Sequence, residues 1–120
     1  FNFENVEGSQ GGETIIGTSD VNVIDGNGGN DVINAGDAAD RTNGDVGDDR
    51  IIDDDFVNFD VHNGGIGIDT IDYSGVTFAS GNVTINLATA FTSVAGGNTE
   101  RIFNFENVEG SQGGETIIGT

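Results

Sequence analysis

The chain has 120 residues and sets 21 acidic side chains against 3 basic ones, a formal net charge of −18. Its fixed positive charges are Arg41, Arg50 and Arg101, so the basic footprint that nucleic-acid binding requires is missing. Repulsion at this charge opposes compaction unless something neutralises it, and small divalent cations held by carboxylates and backbone carbonyls are the economical candidates.

Glycine contributes 21 residues, while Pro, Cys, Met and Trp are absent. Without cysteine there is neither a disulfide nor a thiolate metal site. Low hydrophobicity with high charge is the signature of disorder, which here describes the expected metal-free state. No long apolar run is present and no signal peptide opens the chain, so no membrane insertion is expected.

Residues 1–18, FNFENVEGSQGGETIIGT, recur letter for letter as residues 103–120, an offset of 102. Chance does not produce such a match in so short a chain. The chain therefore reads as one full period plus the opening of the next, cut from a longer tandem array with arbitrary termini. On that reading residues 1–7 end a preceding connector coil and residues 110–120 begin the next unit. In both copies an alternating stretch supplies core candidates, Phe1, Phe3 and Val6 in the first and Phe103, Phe105 and Val108 in the second.

From Gly8 the chain divides into nine-residue blocks: GSQGGETII (8–16), GTSDVNVID (17–25), GNGGNDVIN (26–34), AGDAADRTN (35–43), GDVGDDRII (44–52) and DDDFVNFDV (53–61). His62 and Asn63 then read as an insertion before GGIGIDTID (64–72). Each block has a six-residue, glycine-rich front and a three-residue back. The back is a minimal strand with one aliphatic side chain pointing inward, giving a ladder of Ile15, Ile24, Ile33, Ile51 and Ile71. Stacking the units buries a continuous core that no single block could bury.

If two blocks make one coil, turns 18 residues apart share an edge. One edge then carries Glu13, Asp31, Asp49 and Asp69 at the sixth position of its turns. The other carries Asn22, Asp40 and Asn58, has lost most of its glycines and acids, and reads as solvated turns. Cations are expected in three gaps of the first edge, between Glu13 and Asp31, Asp31 and Asp49, and Asp49 and Asp69. The insertion at His62–Asn63 threatens the third gap, and the longer Glu13 the first.

Residues 73–109 are less regular. VTINLAT (83–89) alternates as a half-buried strand with Val83, Ile85 and Leu87 on one face. The segment reads as wider coils with a thicker, Phe-rich core, or alternatively as a separate small sheet.

The template G-G-x-G-x-D-x-U-x, with U a large aliphatic residue, marks calcium-binding parallel β-helices of the RTX proteins. Residues 8–72 resemble these haemolysin-type repeats of secreted bacterial proteins, and GIDTIDYSGV and the stretches after it resemble the connectors between such blocks. The resemblance implies an all-β, right-handed parallel β-solenoid, the RTX β-roll, with wider coils over 73–109. It also implies Ca2+ held by Glu13, Asp31, Asp49 and Asp69 together with backbone carbonyls of Gly26, Gly28, Gly44, Val46, Gly64 and Ile66. A structural module of a large secreted fibre, surface layer or adhesin is the function expected. Its partners would be neighbouring copies, and other rods or cell-surface components. It would be bacterial, extracellular or on the cell surface, and exported by a type I-like route.

The alternative is a C-terminal calcium-folding and secretion domain of an exoenzyme or toxin; an ice- or polysaccharide-binding face ranks last, because outward positions are mixed. A catalytic site has little support. His62 is the chain's one histidine and falls in the insertion, where it reads as an exposed loop residue. Asp53–Asp55 lacks EF-hand order and reads as a solvated face of a worn repeat. Tyr73 reads as a strand-packing residue.

Overall fold

A computed structural model describes residues 4–77, 83–94 and 99–120; Phe1 and Phe3 lie outside them. Among the described residues there are thirteen strands and no helix: β1 (Asn5–Glu7), β2 (Thr14–Ile16), β3 (Val23–Asp25), β4 (Val32–Asn34), β5 (Arg41–Val46), β6 (Arg50–Ile52), β7 (Val61–Ile66), β8 (Thr70–Asp72), β9 (Val83–Asn86), β10 (Phe91–Val94), β11 (Thr99–Phe103), β12 (Asn107–Glu109) and β13 (Glu115–Ile118).

The strands form two sheets. The first is ordered β1-β3-β5-β7-β11-β10-β9-β13 and the second β12-β8-β6-β4-β2. Through β8 the chain alternates between them, every neighbouring pair is parallel, and two nonapeptides make one coil of a β-roll. Register sets the core. On the second sheet Ile15, Ile33, Ile51, Ile71 and Val108 stand side by side; on the first, Val6, Ile24, Thr42, His62 and Ile102 do. All five isoleucines expected to point inward are buried, and four of them are at most 1 % exposed.

The template's glycines answer to two different constraints. Where a turn repeats fully, its second and fourth residues have positive φ: Asn27 and Gly29, Gly36 and Ala38, Asp45 and Gly47, Gly65 and Gly67. Asn, Asp and Gly tolerate that region, whereas Ala38 does so under strain. The first glycine is needed for space, as the site geometry below makes plain.

Four expectations about residues 53–63 are corrected. The turn between β4 and β5 spans 35–40, six residues, whereas that between β6 and β7 spans 53–60, eight residues. The two extra residues therefore sit inside the DDDFVNFD turn and not at His62–Asn63. His62 is the inward residue of β7, 2 % exposed, between Thr42 and Ile102. Asp60, not Asn58, ends the turn; Asn58 is half-buried within it, its side chain turned to Asp55. Asp53 is buried as well, Asp55 is half-buried, and Asp54 is the exposed member of the acidic run.

The connector is not a wider coil. After β8 the chain adds an antiparallel pair, β9 and β10, to the first sheet, and β10 pairs antiparallel with β11, which returns parallel to β7. Val83 and Ile85 are buried and Leu87 packs against the core from the side. Phe105 is buried; Phe103, Val6 and Val108 are half-buried. The twin segments take opposite places: β1 lies in the first sheet and its copy β12 in the second, while β2 lies in the second and its copy, within β13, in the first.

Ile51→Ala removes a fully buried side chain from the middle of the second-sheet ladder and should cost about 2–5 kcal/mol. Ile16→Ala, at a side chain 75 % exposed, should change stability by less than about 0.5 kcal/mol. Chemical denaturation of both variants in saturating calcium checks the contrast.

Candidate functional site

One edge of the roll carries the turns that lead from the first sheet to the second. At each, the sixth residue does two things with one carboxylate. The amide N–H of Glu13 donates to Asp31 Oδ1 at 2.7 Å, that of Asp31 to Asp49 Oδ1 at 2.8 Å, and that of Asp49 to Asp69 Oδ1 at 2.8 Å. A fourth rung follows, from the Asp69 amide to Glu106 Oε2 at 2.9 Å. The other oxygen of Asp31, Asp49 and Asp69, Oδ2, is buried without a hydrogen-bond partner.

The orphaned oxygens face the first glycine of their own turn and the backbone of the next. A Cβ on Gly26 would sit 2.5 Å from Asp31 Oδ2 and 3.0 Å from the Gly44 carbonyl oxygen. One on Gly44 would meet Asp49 Oδ2 and the Gly64 oxygen closer still, and one on Gly8 would lie 2.5 Å from the Gly26 oxygen. Glycine at this position keeps open a cradle of one carboxylate and one carbonyl per gap. The donor set is all oxygen and anionic, the chemistry that suits calcium, and the residues fit that ion.

Of the other carbonyls expected there, those of Val46 and Ile66 accept the amides of Gly29 at 2.9 Å and Gly47 at 3.0 Å, binding one turn to the next. Gly28 stands opposite Val46 in the ladder and donates to the Ser9 carbonyl. Glu13 departs from its neighbours: its carboxylate turns back onto Ser9, accepting from the Ser9 amide at 3.0 Å and from its hydroxyl. The first gap is thus the altered one, while the third has the same rung length as the second, because the two extra residues lie at the opposite edge.

Burial without a counter-ion shows in the acidities. Desolvation pushes the Asp49 carboxyl up to about 6, against the amide bond from Asp31 and with the help of the Asp69 and Asp31 charges. Asp69 is raised for the same first reason, with Glu106 adding to it. Asp72 goes the other way: hydrogen bonds from Ser74 and the Arg50 guanidinium outweigh its burial.

The opposite edge is not a row of solvated loops. Asn22 donates its amide to Asp40 Oδ1 and Asp40 to Asp60 Oδ1, each at 2.7 Å, and all three side chains are buried. Asp40 Oδ2 is orphaned like those of the first edge. The sequence held a signal for this frame: Asp60-Val61-His62-Asn63 matches Asp40-Arg41-Thr42-Asn43 in its first and last letters.

Among the described residues no helix is long and apolar enough to cross a membrane. No curated protein matches the chain. A family model does match: the RTX calcium-binding nonapeptide repeat, in four copies, over residues 7–42 and 16–51. That span holds the turns of Glu13, Asp31 and Asp49, whose carboxylates and glycine cradles form the first two gaps. Residues 7–51, wound as a parallel β-roll, match the RTX calcium-binding nonapeptide repeat.

Proposed function

We propose that the chain is a calcium-stabilised structural module of a large secreted protein, a fibre, surface layer or adhesin, in which copies of this unit follow one another. Calcium occupies the gaps between successive turns of the first edge. Asp31, Asp49 and Asp69 supply Oδ2; the Gly44 carbonyl lies by Asp31, that of Gly64 by Asp49, and that of Gly26 by Glu13, while Gly28, Val46 and Ile66 complete the shell through backbone oxygens. Glu13 closes the first gap less directly, since Ser9 already engages it. The carrying observation is the column of buried carboxylate oxygens that have no partner in the protein. Such atoms are expensive to bury bare and become favourable once a cation satisfies them.

The structural role follows from what the ion does to the chain. Without it the carboxylates of one edge repel along the roll axis, and the glycine-rich turns are costly to order. With it, neighbouring coils are clamped. Binding free energy is then folding free energy. RTX repeats are typical of secreted bacterial proteins, and a chain that stays loose where calcium is scarce and sets outside suits export. The 102-residue repeat supports an array over a single secretion domain.

Far-UV circular dichroism should show strand signal gained on calcium addition and lost to chelator, with the midpoint shifted to higher calcium in Asp49→Asn and in Gly44→Ala. The first removes a ligand charge, the second fills the cradle. Equal midpoints for wild type and both variants would remove Asp49 and Gly44 from the site.

The metal-free fold should also respond to pH. A carboxyl whose folded pKa is raised binds more proton in the folded state, so its contribution is present in full below the ordinary value and is lost as pH rises through the folded one. For Asp49 that window runs from 3.8 to about 6. In chelator, more residual strand signal should therefore survive at pH 5 than at pH 7.5, and saturating calcium should reverse the order.

A further inference from the structure

The interior between the sheets ends in a polar cluster remote in kind from the calcium edge. Asp53, Asp60 and His62 are all buried, and one ligand atom from each lies within 4.8 Å of the others. Asp53 Oδ2 is 3.2 Å from His62 Nε2. The other ring nitrogen, Nδ1, is 2.8 Å from Thr42 Oγ1, a hydroxyl able to accept from it or donate to it, while Nε2 faces the carboxylates.

A third acid is brought beside them by register. Arg101 of β11 stands opposite Val61 of β7, which sets the preceding residues, Glu100 and Asp60, side by side. Glu100 is 1 % exposed. Its Oε2 accepts the Tyr73 hydroxyl at 2.8 Å, and its Oε1 is buried with no partner. Asp53 and Asp60 are among the charges acting on it.

No arginine reaches this cluster. Arg41 is exposed, Arg101 stacks on Phe91 and Phe103, and Arg50 is bound to Asp72 and Glu109. One imidazole therefore faces two buried carboxyl groups, and a third, that of Glu100, is buried beside them.

We propose that Asp53, Asp60 and His62 form a second metal site, inside the roll, for a divalent transition ion of the zinc class, with Glu100 lying beside it. The nitrogen donor separates it from the all-oxygen calcium gaps, because imidazole suits zinc and its neighbours better than calcium. Two ligands of a tetrahedral zinc stand about 3.3 Å apart, close to the Asp53–His62 separation. Thr42 is the positioning residue: by accepting the Nδ1 proton it holds Nε2 as the metal-binding nitrogen. The site ties the long 53–60 turn to β7.

His62 is the chain's one histidine, so its ring nitrogens report without ambiguity. In calcium-saturated, 15N-labelled protein, zinc chloride should move the His62 Nε2 resonance to the metal-bound range at one equivalent, while further calcium leaves it in place. His62→Gln and Asp60→Asn, checked for folding by circular dichroism, should each weaken zinc binding by about tenfold or more. Thr42→Val should lower affinity with the fold intact. An unmoved imidazole resonance at excess zinc would overturn the site, as would unchanged zinc affinity in folded His62→Gln. The wild-type spectrum decides should that variant not fold.

Discussion

A single hydrogen bond organises the roll: the amide of each turn's sixth residue donates to the carboxylate of the same position one coil on. Repeated from Glu13 through Asp31, Asp49 and Asp69 to Glu106, it fixes the axial spacing of the turns and leaves one oxygen per aspartate in the gap. Spacing, metal cradle and glycine requirement all descend from it. A longer or uncharged residue would satisfy the amide or the gap, but not both in the same geometry.

The two interior columns have different characters. The second sheet contributes aliphatic residues throughout, and this column supplies the apolar core that a slender coil can bury. The first sheet begins apolar at Val6 and Ile24 and becomes polar at Thr42 and His62. Tyr73, stacked on Phe56 at 4.9 Å, and Thr92 continue that polarity toward the connector. Burial pushes the Glu100 carboxyl up to about 10 and Asp60 to about 6, in both cases against a hydrogen bond that favours the charge. The roll thus combines a dry half with a half organised by hydrogen bonds.

The isoleucine ladder and the acidic, glycine-led edge were legible because their periods coincide: Gly at the first position and acid at the sixth recur with Ile at the eighth. The frame past Asp53 was not, for a physical reason. Two surplus residues can be placed anywhere between 53 and 63 without disturbing GGIGIDTID, and periodicity alone does not choose. The choice is made by Asp60, which continues the amide–carboxylate rungs, and by His62, whose ring replaces an aliphatic residue at an inward position. A polar residue at a U position reads as degeneration in one dimension. In three it has Thr42 on one side and Asp53 on the other. The antiparallel turn-back of β9 and β10 was likewise hidden, since alternation in VTINLAT is the same whichever way a strand runs.

The exchange of sheets between the twin segments has a geometric outcome. The period spans an odd number of half-windings, so a copy continuing the same path begins its acidic turns on the other flank. Its surplus β9–β10 pair, which lengthens one face by two strand widths, also falls on the reverse face. Successive copies on that path would present their acidic turns on alternate flanks of the roll.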